Sequence, residues 1–161
     1  MAARAAVLAV VIMTLLCGGC ALSGAGRDVA SAPTAMPLTK DNVEKLRLSV
    51  TRAKTQAAKP AAADSKDAYV RFARQVYVRS WSEAWSPAAT TETALALAKA
   101  GDPAAREYLT IMVYDLQLQS AMEGVSLTAE DWHDIYVGSG IMTEAVFANY
   151  AALSRAGKVL P

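Results

Sequence analysis

Cysteine and histidine are scarce in this chain of 161 residues, which has two cysteines, Cys17 and Cys20, and one histidine, His133. The residues after Cys20 therefore have no thiol for a disulfide, a cysteine nucleophile or a thiolate metal site. A single imidazole without cysteine makes a poor zinc site, and no glycine-rich phosphate loop is found. We therefore expect no metal and no cofactor.

The sequence also has little phenylalanine and few runs of β-branched residues. Its hydrophobic fraction is 53%, with two phenylalanines, and alanine, the best helix former, supplies much of that fraction. The length suggests one domain. We therefore predict an all-α fold, a small helical bundle of about five to six amphipathic helices.

No apolar run is long enough to cross a bilayer as a helix. The longest, Ala5 to Leu16, has twelve residues with Thr14 as its one polar member, and a membrane span needs about twenty. Arg4 precedes this run and small residues follow it, which is typical of a secretory signal. We therefore interpret residues 1–19 as a signal peptide.

The residues directly after that run are Leu15-Leu16-Cys17-Gly18-Gly19-Cys20. They resemble the lipobox of bacterial lipoproteins, in which a leucine and two small residues precede an invariant cysteine. The sequence departs from the family at Cys17, where the leucine is usual. The resemblance implies a diacylglyceryl group on Cys20 and cleavage before it. Because Ala21 rather than aspartate follows, it also implies sorting to the outer membrane, with the body in the periplasm.

Ordinary secretion is the alternative, with cleavage after the stretch Ala30-Ser31-Ala32, although Pro33 would hinder that cut. In the lipoprotein interpretation, residues 20–38 form a lipidated, flexible tether rich in alanine, serine, glycine and proline. The helical domain then comprises residues 39–161.

Apolar residues recur at every third or fourth position through the domain, which is typical of amphipathic helices. We predict that the first helix begins at Asp41, with Glu44 completing a capping-box-like start. The second is expected from Ser65 to Trp85, ended by Ser86-Pro87. The later helices are predicted from Thr91 to Ala100, from Asp102-Pro103 to Met122, from a cap at Ser126 or Thr128 to Val137, and from Ile141 to Arg155.

Charge is distributed unevenly along the domain. Residues 40–79 contain ten Lys/Arg and four Asp/Glu, a balance of +6, whereas residues 80–161 contain four Lys/Arg and ten Asp/Glu, a balance of −6. The basic half could face an anionic partner, or the two halves could neutralise each other within one fold. Although a basic segment with aromatic residues also fits nucleic acid, an exported protein does not meet that partner.

One group of residues could carry acid–base chemistry. On a helix, Glu130, His133 and Asp134 share a face, with Asp131 nearby. An enzyme acting on cell-wall material would use Glu130, Asp131 or His133. The simpler interpretation is a solvated first turn whose acids complement the helix dipole. We therefore predict no catalytic residue and no enzyme.

A second group could bind a protein. Tyr77, Trp81 and Trp85 follow one helical stripe, and three arginines lie beside it, a combination common at interfaces. The other interpretation is that these aromatic residues pack in the core. We refer to the candidate partner-binding residues as the aromatic–arginine patch: Tyr77, Trp81, Trp85, Arg71, Arg74 and Arg79.

These observations predict an envelope lipoprotein acting as a non-enzymatic interaction or scaffolding module, for example accessory to an envelope or secretion complex. Its partners would be the membrane, through the N-terminal lipid, and an envelope protein. An alternative is a periplasmic inhibitor or immunity lipoprotein whose acidic half meets a basic enzyme. The cell-wall enzyme is the third hypothesis.

Overall fold

The computed structural model describes residues 33–60 and 66–157, and the predicted signal peptide and Cys20 lie outside these ranges. Six helices and no strand occur in the described ranges, so the prediction of an all-α bundle is confirmed. We number them α1 Lys40–Gln56, α2 Lys66–Ser80, α3 Pro87–Lys99, α4, which continues through Pro103–Leu109, Thr110–Tyr114 and Asp115–Met122, α5 Ala129–Gly138 and α6 Glu144–Arg155.

Side-chain caps explain where the helices begin. Five of the six start after a residue whose side chain accepts a hydrogen bond from a backbone N–H three residues later, which satisfies a donor that the helix leaves free. The first cap is Thr39, so α1 begins at Lys40 and Asp41 is not its cap as predicted. The other caps are Ser86, Asp102, Thr128 and Thr143.

The second helix ends earlier than the sequence predicts. It stops at Ser80, and Trp81 and Trp85 lie in the following connection. Ser86 and Pro87, which we expected to end this helix, instead begin α3 as its cap and first residue. Proline is favourable at the first position of a helix, because the backbone N–H that proline lacks would have no hydrogen-bond partner within the helix there. The prediction that Trp81 and Trp85 share a helical stripe with Tyr77 is therefore wrong.

The last six residues of the predicted tether also differ from expectation. Thr34 forms an isolated parallel bridge with Trp85, in which the Ser86 N–H donates to the Thr34 carbonyl at 2.8 Å. The Met36 side chain is 6% exposed, and its N–H donates to Thr90 Oγ1 at 2.8 Å. Residues 33–38 thus pack on the domain, and only residues 20–32 can still serve as the predicted tether.

Helix α4 is central to the bundle. Its middle segment, Thr110–Tyr114, is a π-helix, in which Ile111, Met112 and Val113 are all buried. π-Helical turns interrupt the regular backbone bonding. The carbonyl of Val113 accepts from the Tyr136 hydroxyl at 2.8 Å, and one turn later Leu116 accepts from Tyr69 at 3.0 Å. Hydroxyls from α5 and α2 therefore bind the backbone of α4.

Ion pairs link the basic and acidic halves of the sequence. Four of the ten cations in residues 40–79 pair with a carboxylate from residues 80–161, so the halves partly neutralise each other within one fold. These pairs are Arg47–Glu107, Lys54–Asp115, Lys59–Glu123 at 2.8 Å and Lys66–Asp131 at 2.9 Å.

Candidate functional site

The aromatic–arginine patch does not form one surface. Tyr77 has no exposed area, and its ring centroid lies 6.0 Å from that of Tyr136. Burial raises the pKa of the Tyr77 phenol well above its ordinary value. A side chain enclosed in this way contacts no partner, so the core interpretation holds for Tyr77 and its proposed binding role is wrong.

Trp81 and Trp85 meet at an open groove. We call this the tryptophan groove, with a cavity volume of 260 Å³. Both indoles are half-buried, and both follow the end of α2 at Ser80. The apolar lining comprises Trp81, Trp85, Met36 and Leu46, and the polar lining comprises Asn42, Lys45, Ser49, Ser80 and Ser82.

Most polar side chains around the tryptophan groove already have partners. The Asn42 amide donates to the Pro37 carbonyl at 2.9 Å, and the Ser49 hydroxyl donates to the Ser80 carbonyl at 2.8 Å. Lys45 pairs with Asp41 at 2.6 Å on an exposed surface. The groove therefore offers apolar and aromatic walls rather than free charge.

Trp81 is fixed in position by its neighbours. Its ring stands edge-on to that of Tyr108, with centroids 6.2 Å apart. Within the described residues its indole Nε1 is buried and has no hydrogen-bond partner. A buried donor without a partner has a free-energy cost, so this wall of the groove retains one unsatisfied hydrogen-bond donor.

None of the three arginines lines the tryptophan groove. Arg74 Nη2 donates to the Gly138 carbonyl at 3.1 Å, and Arg79 Nη1 donates to the Gln56 carbonyl at 3.0 Å. Arg71 is exposed. All three lie on the outward face of α2, and none is part of the groove lined by the tryptophans that we expected beside them.

The possible acid–base group is not assembled either. His133 Nε2 lies 2.8 Å from the Glu144 carboxylate, and its ring stands edge-on to Phe147 at 4.9 Å between centroids. Asp131 instead closes a capping box with Thr128. Hydrogen bonds from Lys66 and from Thr128 lower the pKa of Asp131 to about 2. Its carboxylate is therefore a structural anion and not a general acid near neutral pH.

Other members of that group, Glu130 and Asp134, are exposed. Across residues 33–60 and 66–157, no group of three or more histidine, cysteine, aspartate or glutamate side chains could hold a metal ion. Glu144, the partner of His133, was not among the sequence candidates. It lies eleven positions away in the chain, a separation that helical spacing does not connect.

One exposed apolar surface is missing from the sequence analysis. Leu118 and Met122, one turn apart on α4, are 63% and 80% exposed. Beside them is a shallow depression of 400 Å³ whose lining includes Val125, Leu127 and Trp132. Leu118 and Met122 are four positions apart, on the face of α4 opposite the buried Leu116 and Ser120, and this spacing could have been found from the sequence.

Comparison with known proteins assigns no relative. No protein-family model matches the chain, and no curated protein or solved structure matches it significantly. Of the helices between Lys40 and Arg155, none combines the length and apolar character needed to cross a membrane.

Proposed function

We propose that this chain is an envelope lipoprotein, anchored to the outer membrane through an acylated Cys20, with its body in the periplasm. The body would be a non-enzymatic helical module that binds an envelope protein, for example as an accessory of an envelope or secretion complex. The lipobox-like sequence from Leu15 to Cys20 supports the anchor. Several acyl chains on one cysteine would make attachment effectively permanent.

The tryptophan groove is the observation that carries the binding part of the proposal. Half-buried tryptophans in a concave site are frequent energetic centres of protein interfaces. The cavity of 260 Å³ lies below the range of about 300–1,000 Å³ typical of small-molecule sites. Its size and its apolar walls suit one bulky apolar side chain presented by a partner protein.

The contacts give less support to the two other hypotheses. An inhibitor or immunity protein would use its acidic half to attract a basic enzyme, but Glu107, Asp115, Glu123 and Asp131 already pair with cations of this chain. A cell-wall enzyme would need a second positioned group beside His133, whose polar partner is the exposed Glu144.

The anchor is tested in cells that express the chain. We expect incorporation of labelled palmitate into the wild-type protein and its loss with Cys20→Ala, while blocking signal peptidase II with globomycin should leave the precursor uncleaved. Normal maturation in globomycin, or palmitate on the Cys20→Ala protein, would contradict the proposal.

The groove is tested by site-specific photo-crosslinking in the intact envelope. A photoreactive residue at position 85 should give one discrete adduct with an envelope protein, through a large apolar residue of that protein. The matched control is the same photoreactive residue at position 97, where the exposed Leu97 lies on α3. Adducts of equal yield at both positions, or no adduct at 85, would count against the groove.

A further inference from the structure

The outward face of α2 has a stripe of five exposed residues that the proposed partner does not use. They recur at the spacing of one helix face, and Val78 among them is 62% exposed. We call this stripe the arginine face: Arg71, Arg74, Gln75, Val78 and Arg79.

No carboxylate neutralises this face. Among the residues that the structure describes, none of the three arginines takes part in an ion pair. Asp67 lies one turn before Arg71 on the same helix, yet it is not within salt-bridge distance of it. Within the described residues, five of the ten cations of residues 40–79 pair with a carboxylate, so the unpaired positive charge of this half lies at the three arginines of α2 and at Lys40 and Arg52.

Two of the guanidinium groups are held in place without losing their charge. Arg74 is bound to the carbonyl of Gly138 and Arg79 to that of Gln56, and both carbonyls belong to the last residues of helices. The negative ends of these helix dipoles favour the cations. Two of the three positive charges of the face are therefore fixed in position, and Arg71 adds a third on the exposed surface.

We propose that the arginine face docks on anionic phospholipid headgroups. Arginine side chains bind phosphate oxygens well, and the exposed Val78 between Arg74 and Arg79 offers an apolar contact at the membrane interface. An exposed helix face without a recess suits a flat, charged surface better than it suits an extended peptide. Docking would orient the body on the membrane.

This inference rests on the proposed anchor for the proximity of the membrane. Pro33 is thirteen positions after Cys20, so an acylated Cys20 would keep the domain within at most about 45 Å of the lipid. At that range weak electrostatic attraction is sufficient, since the anchor makes docking an intramolecular event.

The test uses the full chain with Cys20→Ala, so that no lipid anchor can form, in flotation with phosphatidylcholine vesicles that contain or lack phosphatidylglycerol. We expect preferential flotation with the anionic vesicles, weakened by added salt. Arg71→Gln with Arg79→Gln should weaken that preference by about 25-fold, from roughly fivefold for each arginine at a membrane surface.

The control removes two positive charges elsewhere, with Lys99→Gln and Arg155→Gln, and should leave the preference within about twofold of the parent. Arg74 is left unchanged because its guanidinium packs against Gly138. Arg71→Lys with Arg79→Lys should retain the preference, since headgroups respond to charge. Circular dichroism melting shows that each variant remains folded.

Equal flotation with both kinds of vesicle, or equal losses in the test and control variants, would overturn the inference. So would saturable binding to an acidic polypeptide without binding to anionic vesicles, which would indicate an acidic protein partner. The two proposals can fail separately. If the Cys20→Ala chain prefers anionic vesicles but the wild-type protein carries no palmitate in cells, headgroup binding by the arginine face is supported and the lipid anchor is rejected.

Discussion

The tyrosines and the tryptophans of this chain occupy two different environments. All six tyrosines lie on helices, and five of them are buried. The three tryptophans are half-buried, and Trp81 and Trp85 follow the end of a helix. Five tyrosines are thus enclosed by the bundle, whereas Trp81 and Trp85, just beyond the end of α2, remain at its surface, as does part of Trp132 on α5.

Each environment has one buried polar atom without a hydrogen-bond partner within the described residues, the Tyr77 hydroxyl in the interior and the Trp81 Nε1 in the tryptophan groove. The interior also contains linked hydrogen bonds: Gln117 donates to the hydroxyls of Tyr136 and Tyr150, at 2.8 and 3.1 Å, and Tyr136 donates to the Val113 carbonyl. Because those bonds join enclosed rings whereas the groove is open to solvent, we expect the interior to tolerate less change than the groove.

The largest expected effect is loss of the fold at alkaline pH. Burial raises the pKa of all six tyrosines. Below about pH 10 the phenols are protonated in both the folded and the unfolded chain, so their contribution to stability is fully present. Above that pH the unfolded chain loses protons that the folded chain retains, and stability falls as pH rises towards the raised pKa values.

Tyrosinate absorbance and circular dichroism, followed together through an alkaline titration, measure this effect. The two signals should change in one cooperative transition, since unfolding exposes the phenols. Ionisation of several tyrosines while the helical signal is intact would show that the interior is open to solvent.

The next largest effect is expected for Tyr136→Ala. Its ring packs against those of Trp132 at 5.6 Å and Tyr150 at 6.0 Å. Truncation of a buried aromatic side chain costs about 3–5 kcal/mol through lost burial and the cavity left behind. Denaturant unfolding measures the change, and Leu97→Ala on α3, expected to cost no more than about 0.5 kcal/mol, is the control. A loss of less than about 1 kcal/mol in the free energy of unfolding would contradict the packing of Tyr136 in the core.

The sequence predicts the helical class and several helix ends because these depend on local chemistry. The predicted start of α4 at Asp102-Pro103 is confirmed, since Asp102 caps that helix directly after Gly101, whose φ is +92°. The end of α2 could not be predicted, since Trp81 and Trp85 continue the apolar spacing, and only the bridge from Thr34 shows that the chain has left the helix. The tryptophan groove depends on that same distant contact.

Replacement of Tyr136 by phenylalanine removes only the hydroxyl and separates hydrogen bonding from packing. The Val113 carbonyl would lose its donor, and Gln117 would lose one of its two acceptors. Leaving such buried groups without a partner costs about 1–3 kcal/mol. The free energy of unfolding should fall by that amount with the denaturant m value unchanged. An unchanged free energy would mean that these hydroxyl bonds add nothing to the stability of the interior.

The smallest effect is expected for the equivalent replacement in the tryptophan groove, Trp85→Phe. Its bridge to Thr34 uses backbone atoms and survives the change. The smaller ring widens a groove that is already open to solvent, so no enclosed cavity forms. We expect a loss of at most about 1 kcal/mol, less than for Tyr136→Phe measured in the same buffer. A loss greater than that of Tyr136→Phe would show that Trp85 belongs to the stabilising core. The tryptophan groove would then be a poor site for binding a partner protein.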